Sequence, residues 1–169
     1  VVITSTGGNI DFSSTIKSDS TARNFTISSG AGTVNIVGNI GGSGTTDLAA
    51  IDINASAGAG NITLGGDIGT DSISGATTID IGNAATGTLS LDGAEYSSTG
   101  IQTFTADAFD LAGTDPTFST AGVNINFVDG GATANLILGN AADLEINTNL
   151  DGNAAGNISI ADNITIIGI

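Results

Sequence analysis

Apolar and polar residues alternate in short segments that recur along the chain. The first series comprises GNIDFSSTI at 8–16, GTVNIVGNI at 32–40, GNITLGGDI at 60–68 and GTLSLDGAE at 87–95. The leading apolar residues follow one another at steps of 24, 28 and 27 residues: Ile10, Val34, Ile62 and Leu89. Alternation with a period of two predicts strands that bury one face, and a repeat of this length is typical of a solenoid.

A second series of segments follows the first and keeps its period. It comprises FTI at 25–27, IDI at 51–53 and IDI at 79–81. The stretches between the segments are rich in Gly, Asn, Ser and Thr, and none shows the sustained apolar spacing of three and four that marks a helix. We therefore predict strands joined by turns, with apolar residues that point inward and stack coil over coil, Ile62 on Val34 and Ile79 on Ile51.

The last third of the chain keeps the alternation at a shorter period. Triplets that begin and end on an apolar residue start at Val123, Leu136, Leu144, Ile158 and Ile164. Like strands in this region are 20 to 22 residues apart, which predicts narrower coils. We interpret residues 1–169 as a single all-β segment, a parallel β-solenoid of roughly six or seven coils with strands about 4.8 Å apart.

Residues 94–121 interrupt the pattern, and we interpret them as an irregular coil. They contain the only proline and four of the seven aromatic residues of the chain, namely Pro116, Tyr96, Phe104, Phe109 and Phe118. Aromatic side chains in alternating strands are usually buried, so these rings are expected to fill a locally wider core. The alternative is that this coil carries a special surface.

The chain is strongly acidic, and this excludes several partners. Lys17 and Arg23 are its only basic residues, against 17 Asp and Glu, which gives a formal net charge of −15. Because no basic stripe is present to neutralise phosphates, nucleic acid is excluded as a partner. No apolar run approaches the ~18 residues needed to span a bilayer, so we expect no membrane insertion of this segment.

The residue types present argue against catalysis. Histidine and cysteine are absent, which excludes Ser-His-Asp and Cys-His nucleophiles and the usual zinc sites. Both basic residues belong to the first coil, so no acid with a basic partner can be assembled in the others. Paired carboxylates such as Asp107 and Asp110 are expected by chance in so acidic a chain. We predict that the protein is not an enzyme.

Calcium is the one cofactor that the sequence suggests. Asp52 and Asp80 occupy the same outward position in successive coils, and like charges one strand spacing apart are destabilising unless they are solvated or bridged by a cation. We therefore name Asp52 and Asp80 as candidate calcium ligands, with a solvated acidic face as the alternative. The calcium-binding β-roll signature GGxGxDxUx is absent from the chain.

Units such as GNITLGGDIGT and GTVNIVGNIGG, each followed by a looser strand and an IDI segment, resemble the β-strand repeats of large secreted bacterial surface proteins. The broad families concerned are filamentous-haemagglutinin-like adhesins and autotransporter passenger domains. The resemblance implies a right-handed parallel β-helix at the cell surface or outside the cell, exported as an extended chain. It also implies a role in attachment or matrix building, with glycans or neighbouring cells as partners.

The two ends of the chain are strand-like and carry nothing that blocks further pairing. VVITST at 1–6 and ITIIGI at 164–169 contain neither charge nor proline, and the chain has no initiating Met, so we expect a mature or internal fragment. Each end is expected to continue into the same solenoid or to associate with another copy. We predict a structural and adhesive segment, with a self-assembling extracellular filament as the alternative and a calcium- or polysaccharide-binding wall module as a further one.

Overall fold

The computed structural model describes residues 1–19, 21–41, 48–69, 76–131, 135–138, 143–149, 152, 154–161 and 165–168. Every helix or strand within these residues is a β-strand, as the alternation predicts. The strands are β1 (Val2–Thr4), β2 (Ile10–Phe12), β3 (Phe25–Ser28), β4 (Val34–Ile36), β5 (Ala50–Ile53), β6 (Ile62–Leu64), β7 (Thr78–Ile81), β8 (Thr88–Leu91), β9 (Glu95–Ser98), β10 (Gln102–Ala106), β11 (Ala108–Leu111), β12 (Thr117–Thr120), β13 (Ile125–Asp129), β14 (Asn135–Leu138), β15 (Glu145–Asn147), β16 (Ile158–Ile160) and β17 (Thr165–Gly168).

The strands form three parallel sheets. Sheet 1 has the order β1-β3-β5-β7-β10-β13-β16, sheet 2 the order β2-β4-β6-β8-β11-β14-β17, and sheet 3 the order β9-β12-β15. Neighbours within a sheet are one whole coil apart in sequence, so each coil contributes one strand to each long sheet. The protein is a parallel β-solenoid, which confirms the predicted all-β fold class.

The number of turns is slightly smaller than predicted. Each long sheet holds seven strands, and its two outermost strands belong to turns that have a neighbour on one side only. The solenoid therefore has about five turns, where the sequence predicted six or seven, because the sequence count included the terminal strands.

The register between coils reproduces the repeat of the sequence. Val34 pairs with Ile62, and Ile51 pairs with Ile79. These four side chains are at most 2% exposed, so the prediction that they point inward is confirmed. Because burying apolar surface contributes about 25 cal/mol per Å², this continuous aliphatic stack supplies much of the stabilisation of the fold.

Glycines at the start of the first-series segments are required by the close approach of successive coils. A Cβ atom added to Gly32 would lie 2.3 Å from the carbonyl oxygen of Gly8, and one added to Gly60 would lie 1.9 Å from that of Gly32. No side chain fits such a space, since real Cβ contacts are longer. The glycine that leads each repeat therefore marks a contact between two backbones.

Residues 94–121, which we interpreted as an irregular coil, hold the four strands β9 to β12. Their aromatic side chains, Tyr96, Phe104, Phe109 and Phe118, are fully buried. The ring of Tyr96 stacks on that of Phe118, with centroids 4.7 Å apart and planes 12° apart. The interpretation that these rings fill the core is confirmed, and they do not form a surface.

Sheet 3 continues a row of single bridges from the earlier coils. Ile16 bridges Ile40, Ile40 bridges Ile68, and Ile68 bridges Tyr96, where the sheet begins. Ile40 and Ile68 are each followed by a glycine of positive φ, Gly41 at 81° and Gly69 at 64°, which bends the chain after one bridged residue. Tyr96 and Phe118 are followed by serine, and the strand continues.

Candidate functional site

The outer face of sheet 1 has a column of short polar residues. The parallel register places one of them in each successive coil, in the order Thr26, Asp52, Asp80, Thr103, Asn126 and Ser159. At a strand spacing of about 4.8 Å, each side chain lies beside the next one in the column. We call these six residues the sheet 1 column.

Asp52 and Asp80 lie directly opposite each other on β5 and β7, as the sequence predicted. Asp52 is half-buried, and its carboxylate accepts hydrogen bonds from the Ala55 amide at 3.2 Å and the Ser56 hydroxyl at 3.4 Å. Partial burial of the Asp80 carboxyl, and then the charge of Asp52, raise the pKa of Asp80. Negative charge at this pair is therefore costly, and a proton or a cation would relieve that cost.

The pair supplies only part of a calcium site. Ca²⁺ takes about six to eight oxygen ligands, and within the described ranges no group of three or more Asp and Glu could hold a metal ion. Thr26 and Thr103 flank Asp52 and Asp80 in the sheet 1 column and add hydroxyl oxygens beside the two carboxylates. Calcium at Asp52 and Asp80 stays a prediction, which we test below.

The outer face of sheet 2 has a corresponding column, which changes character along the solenoid. Its residues in register are Asp11, Asn35, Thr63, Ser90, Asp110 and Ile137. We call these six residues the sheet 2 column. It is polar through the early and middle coils and becomes apolar at β14, so the polar wall on this side does not reach the last coils.

A second acidic pair, which the sequence analysis missed, lies on sheet 2. Partial burial, and then the charge of Asp110, raise the pKa of Asp92. The alignment of TLSLD at 88–92 with AFDL at 108–111 carried the signal, but the coil between them is 20 residues long, shorter than the earlier repeats. Asp107, the other carboxylate considered for catalysis, lies in the turn between β10 and β11.

Side chains of Asn and Asp join successive coils at the turns. Asn9 Oδ1 accepts a hydrogen bond from the Thr33 amide at 3.1 Å, and Asn61 Oδ1 accepts one from the Thr88 amide at 3.0 Å. The same contact recurs from Asn39 to the Asp67 amide, from Asp67 to the Ala94 amide, from Asp115 to the Asp143 amide and from Asn124 to the Asn157 amide. These residues satisfy backbone N–H groups and are structural.

An apolar cavity of about 420 Å³ opens at the N-terminal end of the solenoid. Its apolar lining residues are Val1, Ile3, Phe12, Ile16, Phe25 and Leu48. Lys17 and Arg23, the two basic residues of the chain, also border it. Arg23 Nη2 forms an exposed ion pair with Asp19 Oδ2 at 2.8 Å. The end of the solenoid therefore combines an apolar surface with the only positive side chains.

The strand edges at this end face outward. Sheet 1 ends at β1 and sheet 2 at β2, and Val1 and Val2 are 67% and 72% exposed. The Val1 carbonyl and the Ser5 amide bond to β3, so the backbone groups of Val2 point to the opposite, outer edge. At the other end, β17 covers residues 165–168, whereas Ile164 and Ile169 of the predicted pairing edge lie outside the described residues.

No helix in the described part of the chain is long and apolar enough to cross a membrane.

Comparisons of this chain with protein-family models, with curated proteins and with solved structures found no match. The interpretation of function therefore depends on the walls and the ends of the solenoid.

Proposed function

We propose that this protein is a non-enzymatic, structural and adhesive segment of a cell-surface or extracellular protein. The observation that carries the proposal is the contrast between interior and walls. The interior is filled by aliphatic and aromatic side chains, of which Tyr96, Phe104 and Phe118 are fully buried. The sheet 1 column and most of the sheet 2 column present hydroxyl, amide and carboxylate groups instead. Such walls offer contact surfaces and leave no room inside the middle coils for a substrate.

The walls suit glycans or the surfaces of neighbouring cells as partners. The sheet 1 column repeats polar groups at about the strand spacing of 4.8 Å over six coils. Glycans carry closely spaced hydroxyl groups that pair with such donors and acceptors. Each contact is weak in water, but several contacts in a row, or several copies side by side, raise the overall affinity. A net charge of −15 keeps the wall hydrated and disfavours anionic polymers as ligands.

Binding to a glycan array and to whole cells tests this proposal. We expect the 169-residue protein to bind neutral glycans, and the double variant Thr103→Ala, Asn126→Ala on sheet 1 to bind them more weakly. The matched control is Asn35→Ala, Thr63→Ala on sheet 2, which removes similar groups from the other wall. Absence of any binding by the unaltered protein would contradict the adhesive function, and release of sugars from the array would contradict a non-enzymatic one.

A second function, the subunit of an extracellular filament, is favoured by the open N-terminal end. The cavity there and the outer edge of β1 would be covered by a further coil, whether from the same longer polypeptide or from a second copy. Asp143 and Glu145 are exposed near the other end and complement Lys17 and Arg23 in charge. A head-to-tail contact between unlike ends does not close, so separate copies would form open fibres.

Light scattering and electron microscopy of the 169-residue protein test the filament hypothesis. Val2→Lys places a charge on the outermost strand, and Val2→Pro removes an outward N–H group, so both are expected to stop growth. Val37→Lys is the matched control, because Val37 is 56% exposed but lies beside β4, away from the end. Monomeric behaviour of the unaltered protein at high concentration would exclude the filament and leave the adhesive proposal standing.

A further inference from the structure

The turn between β11 and β12 contains a residue with an unusual backbone conformation. Asp115 has a φ of 48°, in the left-handed region that residues with a Cβ atom occupy at a cost. It precedes Pro116, the only proline of the chain, and a residue before proline is normally extended with a negative φ. One residue thus departs from two steric preferences, which places strain at the Asp115–Pro116 peptide bond.

Neighbouring coils hold both sides of this bond. The Asp143 amide donates to Asp115 Oδ1 at 3.1 Å, and the Glu145 amide donates to the Pro116 carbonyl oxygen at 3.1 Å. On the other side of the turn, the Thr117 amide donates to the Ala94 carbonyl oxygen at 2.9 Å. These contacts restrain the turn in its strained form and orient the Asp115 carboxylate.

We propose that Asp115–Pro116 is a self-cleaving peptide bond in mild acid. A carboxylate oxygen of Asp115 attacks the carbonyl carbon of the same residue and forms a five-membered cyclic anhydride. The bond from this carbon to the Pro116 nitrogen breaks, and the nitrogen takes up a proton from solvent to become the amine of a new chain start. One water molecule then opens the anhydride, leaving two carboxyl groups on Asp115, so the net reaction is hydrolysis of one peptide bond.

Three features favour reaction at this bond. The nucleophile belongs to the same residue as the carbonyl that it attacks, so no translational entropy is lost in bringing the two together. The departing nitrogen is that of a proline, which protonates readily once its amide bond is broken. The restrained positive φ of Asp115 is relieved as the bond breaks, which lowers the barrier relative to a relaxed chain.

The position of the bond predicts a nicked protein that stays assembled. Cleavage yields residues 1–115 and 116–169, which remain connected by strand pairing in all three sheets, for example between β9 and β12. Phe109 and Phe118, on the two sides of the cut, are both fully buried. The products are therefore expected to elute together in size-exclusion chromatography and to separate only on a denaturing gel.

The decisive experiment compares the folded protein with the same protein unfolded in urea, in the same mild acid. Circular dichroism confirms that the first sample keeps its β signal, and intact mass spectrometry follows the appearance of the two products. We expect cleavage to be about tenfold faster in the folded protein, equivalent to about 1.4 kcal/mol, with a new chain start at Pro116. An equal or slower rate in the folded protein would overturn the proposal and leave only the ordinary acid lability of an Asp-Pro bond.

Two variants test the chemistry. Asp115→Ser removes the nucleophile, and Pro116→Ala replaces the leaving group and permits a relaxed backbone, so both are expected to abolish cleavage. Asp110→Ser is the matched control, since it removes an Asp from the neighbouring strand and should leave the rate unchanged. Cleavage of Asp115→Ser at the unaltered rate would overturn the mechanism. If a variant fails to fold, the comparison of the folded and urea-unfolded protein still decides.

Discussion

The third corner of the solenoid is built in two different ways in the early and the middle coils. In the early coils it consists of single bridges between isoleucines, Ile16 to Ile40 and Ile40 to Ile68. In the middle coils the same column continues as sheet 3, through Tyr96 and Phe118. The comparison shows that one column of a solenoid can change from a bend to a strand without any change in the two long sheets.

The difference follows from the residues next to the column. Gly41 and Gly69 adopt a positive φ directly after Ile40 and Ile68, and the chain turns there. After Tyr96 the chain continues through two serines, and Gln102 reinforces the corner because its Nε2 donates to the carbonyl oxygens of Tyr96 at 2.9 Å and Ser119 at 2.8 Å. Small residues therefore set a tight early corner, and rings together with a buried amide set a wide one.

Truncation of the column is expected to be most costly in the middle coils. Phe118 contacts the rings of Tyr96, Phe104 and Phe127 at centroid distances of 4.7, 5.4 and 5.2 Å. Phe118→Ala is expected to lower the free energy of unfolding by about 3–5 kcal/mol, and Ile40→Ala by about 1 kcal/mol less, because aromatic pairs add to the area term. Urea unfolding measures both, and an equal loss would contradict an aromatic contribution at this corner.

An exchange of residue types next to the column is expected to have a smaller effect. Gly69→Ser gives the early corner the middle type of sequence but forces a side chain into a φ of 64°, which costs about 1–2 kcal/mol. Ser119→Gly, the reverse exchange in β12, is expected to cost about 0.5–1 kcal/mol through backbone entropy. Thermal unfolding of the two variants measures the order, and a neutral Gly69→Ser would show that the bend is not fixed by glycine.

The early coils could be predicted from the sequence in more detail than the middle ones. Between residues 8 and 91 the repeats keep nearly the same phrase, so the register of Ile62 and the opposition of Asp52 and Asp80 followed from alignment. The coil from Leu89 to Phe109 is 20 residues long, and a change in turn length alters which residues face each other. The Asp92–Asp110 pair and sheet 3 depend on that change and could not be predicted by counting a fixed period.

Contacts between coils that run through turns were also beyond prediction. The hydrogen bond from the Thr33 amide to Asn9, and the position of Lys17 and Arg23 beside one cavity, depend on how the backbone bends between strands. A pattern of apolar and polar positions contains no information on such bends. The proposed cleavage site belongs to the same class, since the sequence shows an Asp-Pro pair but not the φ of Asp115.

The acidic pairs on the two walls extend the comparison to charge. Partial burial and a facing carboxylate raise the pKa of Asp80 in the early coils and of Asp92 in the middle coils. A pKa raised above the ordinary value of about 3.9 means that the folded state binds the proton more tightly than the unfolded state. The cost of each charge is therefore fully present at neutral pH and is removed as the pH falls through the raised pKa.

We expect Asp80→Asn and Asp92→Asn each to raise the free energy of unfolding at neutral pH by about 0.2–1 kcal/mol, measured in the presence of a chelator. The gain should shrink in acid, because the unaltered carboxyl groups are then protonated and no longer repel their neighbours. Chemical unfolding at neutral and acidic pH measures this difference. Loss of stability in Asp80→Asn at neutral pH would contradict a repulsive pair at Asp52 and Asp80.

Calcium provides the finest test of how the two pairs differ. If Asp52 and Asp80 bind Ca²⁺ with the help of the flanking threonines, removal of the ion by a chelator should lower the melting temperature of the unaltered protein. Sodium chloride at equal ionic strength should then fail to restore it, since screening acts on all charges and not on one site. Asp80→Asn should abolish the response to calcium, whereas Asp92→Asn, at the other pair, should keep it. Full restoration by sodium chloride would instead assign the early wall the solvated acidic face, and the two pairs would then be equivalent.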